Sequence, residues 1–321
     1  MAAECVVGVD VGGTKAMAGV IDESLTLIHR ARREMPGLDQ AGVIDAIVDA
    51  VDEVRAASEI PPSGVGVGMP CLLDQRTGEA VMAVNLPIAN LPIRDVLSER
   101  LGLPVFIDND ANVAALAEHR FGAAQGASTA VVLTVGTGVG GGLIVDGEPR
   151  RGSVGAGAEL GHVVIDYNGP RCQGNCPNRG CLEVMASGTA LTRESQRIAE
   201  EQPETTLGRA RADGQPVTGE LVTELALAGD EQCRELIALI GRRLGVGIAS
   251  FVNIFNPEVV VVGGGVIAAG ELLLEPARQE MLSRALPFLR DLVRVVPAEA
   301  GQGAGLLGAG VLAFDGLAKA R

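Results

Sequence analysis

The sequence predicts an α/β protein of two lobes. Three features predict it: short Val-rich strands set among helical stretches, an opening strand–Gly loop–strand unit, and a weak second copy of that unit beginning near residue 130. Residues 5–9 (CVVGV) read as a buried strand, Asp10-Val11-Gly12-Gly13-Thr14-Lys15 as a turn, and residues 16–21 and 25–31 as two further strands. Their short connections predict antiparallel pairing. Residues 40–58 place Val43, Ile44, Ile47, Val48, Val51 and Val54 on one helical face. A strand over 65–68 is closed by Pro70, and a strand over 105–107 leads into a helix from about 111 to 120. In the second copy, residues 130–135 are a strand, 136–142 a Gly-rich loop and 143–145 a return strand that turns at Asp146-Gly147. Superposing Asp10 on Thr134 sets Gly12 over Gly136, Val20 over Ile144 and Asp22 over Asp146. Residues 159–187 form an irregular insert, and 188–252 are mainly helical, with a more polar patch near 201–220. A strand over 259–262 ends at Gly263-Gly264-Gly265. A terminal helix over 303–319, with Leu306, Leu307, Val311 and Leu312 as its apolar face, is expected to pack back on the first lobe.

The 321 residues suffice for two cores. The net charge of −14 argues against a nucleic-acid partner, which needs a basic face to release counterions. With no Trp and one Tyr, base stacking has few platforms. No signal-like apolar leader and no run of about 18 uncharged apolar residues is present, so a cytoplasmic chain without a membrane span is expected. Cys5, Cys71 and Cys233 stand among apolar neighbours and read as reduced thiols.

Gly12 and Gly13, between two strands, allow positive φ and close approach of the backbone to an anion. Thr14 adds a hydroxyl donor, and Asp10 suits the metal side of a phosphate site. A plain hairpin turn is the alternative. The Gly-rich loop carrying Thr137 and Gly138 is a second candidate cradle, and Gly264-Gly265 a third, suited to a flat adenine or ribose or simply to a strand–helix turn. No Walker loop is present.

The strand over 105–107 runs into Asp108-Asn109-Asp110-Ala111-Asn112. A carboxylate at the carboxyl end of a strand lies where open α/β sheets bind ligands. Asp110 is the candidate base for a hydroxyl proton in phosphoryl transfer, with Asn109 as a hydroxyl partner. The residues alone leave open that Asp108 or Asp110 only caps the helix. Glu159 and Glu183 are carboxylates that could accept hydroxyl hydrogens, or solvated surface charges. His162, Cys172, Cys176 and Cys181 supply one nitrogen and three sulfurs, a closed set for structural Zn2+ rather than three free thiols.

Taken in order, Asp10-Val11-Gly12-Gly13-Thr14-Lys15, Asn109-Asp110-Ala111-Asn112, the Gly-rich loop from Gly136, Glu159-Leu160-Gly161-His162 and Gly180-Cys181-Leu182-Glu183 resemble the ROK family (repressors, open reading frames and kinases) of sugar kinases, nearest to its bacterial glucokinases. The resemblance covers nearly the whole chain. It implies an actin-like ATPase (ribonuclease H-like) fold with ATP and sugar in a central cleft. The smaller lobe would be residues 1–112 completed by 303–321, and the larger 113–302 with a zinc-binding insert at 159–187. It implies ATP-dependent phosphorylation of a hexose, with Asp110 as base and Asn85, Asn109, Glu159, His162 and Glu183 on the sugar. Asp10, Gly12, Gly13, Thr14, Thr137 and Gly138 would surround the phosphates of ATP and its Mg2+. His162 would serve both zinc and sugar, and the protein would be a homodimer. Glucose is the expected sugar, with mannose or an N-acetylhexosamine as rivals and polyphosphate as an alternative donor. Members that act as sugar-responsive repressors carry a winged helix before the first Gly loop, where this sequence has nine residues. The sequence departs from the family pattern in three places. Three residues separate Cys172 from Cys176, Cys71 stands where a Gly is common, and no Trp follows Asn85.

Overall fold

The first two strands are largely apolar on both faces, as buried strands require, while the third, at the sheet edge, is mostly charged and exposed. β1 (Cys5–Val11) pairs antiparallel with β2 (Lys15–Asp22), and β2 with β3 (Leu27–Glu34). α1 (Gln40–Ala57) starts at Asp39, whose side chain accepts the Gly42 N–H, and buries the Val/Ile face read from its periodicity. β4 (Val65–Met69) returns parallel to β1. A three-stranded antiparallel sheet follows, built of β5 (Cys71–Asp74), β6 (Glu79–Ala83) and β7 (Ala89–Leu91). α2 (Ile93–Leu101) leads to β8 (Val105–Asn109), parallel to β4, and then to α3 (Asp110–Phe121). The first five-stranded sheet therefore has the order β3-β2-β1-β4-β8.

The computed structural model describes residues 4–83 and 85–320, with Gln302 by its backbone only. Residues 1–3 and 321 of the expected first lobe lie outside the described residues. The chain forms two compact units. The first holds Met1–Gly126, Gly142–Ala158 and Glu299–Arg321, and the second Ala127–Gly141 and Glu159–Ala298. β9 (Ala130–Val135) opens the second unit. β10 (Val139–Val145) follows and turns through Asp146 and Gly147, both at positive φ, into β11 (Glu148–Pro149).

β10 corrects the sequence reading. Gly140, Gly141 and Gly142 are strand, not loop. At Gly142 the reason is steric, since a Cβ would overlap the Ala115 methyl and lie 2.9 Å from the Ala111 carbonyl.

In the second unit, α4 (Leu182–Ala186), α5 (Gly188–Glu201), α6 (Thr206–Ala212), α7 (Gly219–Leu227) and α8 (Glu231–Phe255) precede β12 (Val259–Gly263). α9 (Glu271–Arg284), α10 (Pro287–Arg290) and β13 (Arg294–Pro297) complete it. β12 is parallel to β9 on one side and to β13 on the other. The second sheet order, β11-β10-β9-β12-β13, repeats that of the first position by position, so the weak duplication in sequence is a duplication of topology.

By length and mean hydropathy α8 would pass for a membrane span, alone among the described helices. Arg242 and Arg243 interrupt it, and Leu236, Ile237, Ile240, Leu244 and Ile248 are buried in the unit. Gly241 and Gly245 bring its backbone against the carbonyls of Leu273 and Ala277 on α9, which is core helix packing.

α11 (Ala304–Ala320) belongs to the first unit. Leu306, Val311 and Leu312 are buried as expected, whereas Leu307 is half-buried. Its closest approaches are made by small residues. Gly8 on β1 and Gly66 on β4 have no room for a side chain because the carbonyls of Leu306 and Ala309 lie there, and Gly308 likewise lies on the carbonyl of Val113.

Candidate active site

The acidic box sits at the end of β8 and the start of α3. Neither aspartate is the N-cap; that residue is Asn109, whose Oδ1 accepts the Ala111 N–H at 2.9 Å. Asn109 has the extended backbone a cap needs, while Asp110 is already helical. The Asn109 Nδ2 donates to the Cys71 carbonyl at 3.3 Å, which leaves one amide hydrogen and one lone pair for a ligand. Asp110 also accepts the Ala111 N–H at 2.9 Å. Its side chain meets solvent yet lies deep among protein atoms. That desolvation raises its pKa, the Ala111 hydrogen bond opposes the rise, and the nearby Asp10 carboxylate adds to it. Desolvation raises Asp10 too, against the pull of Lys15. The two carboxylates are thus electrostatically coupled, which suits a place where a cation or a proton is handled.

Asp108 has a different task. It is 0% exposed and accepts from the Asn109 N–H at 2.8 Å and from Asn112 Nδ2 at 2.9 Å, while its other oxygen pairs closely with Arg151 Nε. This ion pair, buried at Asp108 and partly exposed at Arg151, anchors the 150–157 segment beside the box.

Gly12 and Gly13 do not have positive φ, contrary to expectation. Gly12 N–H bonds the Lys15 carbonyl at 2.8 Å within the hairpin. At Gly13 a side chain would start 3.3 Å from Cβ and the carbonyl oxygen of Asn85, a tight contact. Asn85 thereby adjoins the first Gly loop, with Gly13 and Thr14 exposed beside it.

In the second unit three expected segments converge on Val139. Its N–H donates to Glu183 Oε2 at 3.0 Å. Its carbonyl fills the side-chain position of Gly161, which seats the 3-10 turn Leu160–His162 directly after Glu159. The same Glu183 carboxylate fills the side-chain position of Gly138. Ala158, just before Glu159, has φ +65, a local strain at the entry to this segment. Gly136 has open space around it, as has Gly265. Gly264 has φ +89 and lies against the Val135 backbone, so the third Gly loop abuts the end of β9.

The ligand atoms of His162, Cys172, Cys176 and Cys181 all lie within 4.8 Å of one another. His162 Nδ1 is 3.6 Å from Cys172 Sγ, and the sulfurs of Cys176 and Cys181 are 3.9 Å apart. Tetrahedral zinc, with Zn–S of about 2.3 Å and Zn–N of about 2.0–2.1 Å, sets its ligand atoms roughly 3.5–3.8 Å apart. The donor set therefore fits zinc in chemistry and spacing, and Nδ1 as the ligand leaves Nε2 on the far side of the ring. Burial, then the neighbouring sulfurs, push the Cys172 thiol far up, a strain that a metal bound to thiolates would relieve.

Comparison with known proteins accounts for this collection of segments. The family model described as "ROK family" matches residues 6–315. The chain belongs to the ROK family. Among curated relatives, a glucokinase of Thermotoga maritima is 35% identical over 305 residues, 94% of this chain and 95% of that one. A ROK glucokinase of Streptomyces griseus, solved with glucose and AMPPNP, superposes with a TM-score of 0.85 at 35% identity, covering 97% and 99% of the two chains. A xylose repressor of Caldicellulosiruptor bescii is 33% identical over 253 residues, which is 78% of this chain and 62% of the repressor. The fold is accordingly the actin-like ATPase fold of ROK sugar kinases.

Several residues that shape this ROK site escaped the sequence reading. The N-terminus of α5 holds the second Gly loop: Gly188 N–H donates to the Gly136 carbonyl at 2.7 Å, and Thr189 Oγ1 to the Thr137 carbonyl at 2.7 Å. Buried Ser187 caps that helix. The Ser-Gly-Thr run is an N-cap signature that could have revealed it. Gly305 on α11 was also missed. Its side-chain position lies 2.6–2.8 Å from the Asp10 carboxylate group, so any side chain there would displace that carboxylate.

Proposed function

We propose that this chain phosphorylates a hexose, with ATP as donor, the 6-hydroxyl as acceptor and glucose as the preferred sugar. The observation that carries the reading is Asp110: a carboxylate that water can reach, held by a helix N-terminus, with a pKa raised by desolvation and by Asp10. Asp110 takes the hydroxyl proton as the sugar oxygen attacks the γ-phosphorus and ADP leaves. Asn85 and Asn109, with Glu159, His162 Nε2 and Glu183, hold and orient the sugar hydroxyls. The loops at Gly12, Gly13 and Thr14 and at Thr137 and Gly138 hold the phosphates, and Gly264 and Gly265 adjoin the nucleoside. Mg2+ carried with ATP supplies charge neutralisation, and Asp10 is the residue placed to face it. Zn2+ on His162, Cys172, Cys176 and Cys181 is structural, since four protein ligands close its coordination.

Glucose is favoured because relatives named glucokinase match nearly their whole length, whereas the repressor relatives match in part. The protein is proposed to act in the cytoplasm as a homodimer, which light scattering tests. The deciding experiment is ADP release measured with glucose, mannose, fructose, N-acetylglucosamine and N-acetylmannosamine. Glucose should give the highest kcat/KM with ATP. No turnover of any sugar, or salt-resistant binding to an operator duplex, would reverse the conclusion.

A further inference from the structure

Glu118 stands in the last turn of α3 and is 2% exposed. Buried glutamates need strong partners. Here the partners are backbone N–H groups. Oε2 accepts from Ala123 at 2.8 Å and from Glu299 at 3.2 Å, and Oε1 accepts from Ala300 at 2.9 Å. The carbonyl of Glu118 also accepts from Gly122 and Ala124, each at 3.1 Å. One residue thus fixes the chain just after α3 and the chain just before α11, all within the first unit.

The second of these segments leads straight to the site. Ala300 is followed by the 3-10 turn Gly301–Gly303, and α11 begins at Ala304. Its next residue, Gly305, lies against the Asp10 carboxylate, which a methyl group there would push aside. One residue further, Leu306 lies against Gly8 of β1, the strand that carries Asp10. With so little slack, a displacement of the α11 start must either push Asp10 or open a gap beside it.

We propose that Glu118 is a positioning residue for the phosphoryl-transfer site, seating the first turn of α11 so that Gly305 fixes the rotamer of Asp10. The proposal rests on the reading of Asp10 as the residue on the cation side of ATP. The three N–H donors demand an acceptor with two oxygens.

Glu118→Gln keeps the size but offers one acceptor oxygen, so either the Ala300 N–H, or the Ala123 and Glu299 N–H groups together, lose their acceptor, while the bonds to the Glu118 backbone carbonyl stay. In the full-length protein, kcat/KM for MgATP should fall between about 10- and 100-fold, as expected for a site misplaced by a fraction of an ångström. Glucose affinity measured by calorimetry should stay within about twofold. Amide hydrogen exchange should speed up over residues 299–305 and leave β1 and β4 protected. Glu118→Asp, one methylene shorter with the charge kept, should give the same pattern and serves if the Gln variant fails to fold. In a cycle with Gly305→Ala, the two losses should be strongly non-additive, because both act on Asp10. An unchanged dependence on ATP, or protection lost evenly across the first unit, would overturn the proposal while leaving the kinase reading intact. A wild-type protein that turns over no sugar would instead refute the kinase reading, and this one with it.

Discussion

Replacing Arg151 by methionine should strip the buried Asp108 carboxylate of its cationic partner. Asp108 is 0% exposed, and its Oδ1 would keep the Asn109 N–H and Asn112 Nδ2. Its Oδ2, which accepts from Arg151 Nε, would be left as a buried charged oxygen without that donor. Breaking a buried pair from one side costs about 3–5 kcal/mol, at the upper end of what single substitutions do. Adding Asp108→Asn should restore at least half of the loss, since no charge then remains to be paired. Urea unfolding followed by far-UV circular dichroism is the suitable assay, because a chain with no Trp and one Tyr gives little intrinsic fluorescence. With two units, the transition to compare is that of the first. A loss below about 1 kcal/mol, far under the expected range, would refute the reasoning. So would a double variant no more stable than Arg151→Met.

Other expectations are independent of that pair. Asp110→Asn should lower kcat by about 10²–10⁴-fold, the usual weight of a general base, with sugar binding retained. The same variant should be more stable than wild type at neutral pH: a carboxylate whose folded pKa is raised favours the protonated fold, so its penalty exists above that pKa and vanishes below about pH 3.9. Paired urea titrations at pH 7 and pH 3.5 test this, and a variant less stable at pH 7 contradicts it. For catalysis the sign is opposite, because the base must be ionised; kcat/KM should fall with pH on a limb lying above the ordinary Asp value, and a limb at or below it would remove Asp110 from the role. Gly66→Ala should cost about 1–3 kcal/mol or more by driving a methyl group into the Ala309 carbonyl, whereas Gly136→Ala, with open space, should leave the melting temperature nearly unchanged. Elemental analysis should find about one zinc per chain, and Cys176→Ser should lose it together with exchange protection around residues 162–181.

Much of this was legible in the sequence. Runs such as CVVGV and AVVLTV betray strands buried on both faces, and Asp146-Gly147 announces its own hairpin. The repeated strand–Gly loop–strand order survived as identical sheet topologies because topology persists where side chains drift. Glycine was the main source of error. In sequence it reads as loop or left-handed turn, yet at Gly140–Gly142 it is strand, at Gly13 it lies close against Asn85, and at Gly8, Gly66 and Gly308 it lets a helix lie backbone to backbone on its neighbours. Those reasons involve residues far apart in the chain, which local pattern does not encode. The small sheet of β5, β6 and β7 was missed because its strands are only three to five residues long. Asn109 was read as a ligand and not as a cap because two aspartates flank it, and the choice among three capping residues is made by backbone angles.

The order in which the protein is synthesised gives the placement of α11 a further meaning. β1 and β4 leave the ribosome early, with Gly8 and Gly66 leaving bare grooves along their backbones, while the helix that fills those grooves is translated after the whole second unit. During that interval the nascent first unit is an incomplete layer with exposed apolar surface, a natural client for chaperones. Cargo fused before residue 304 would interrupt that late docking, and slowing translation there should change the yield of folded enzyme far more than slowing it within α8.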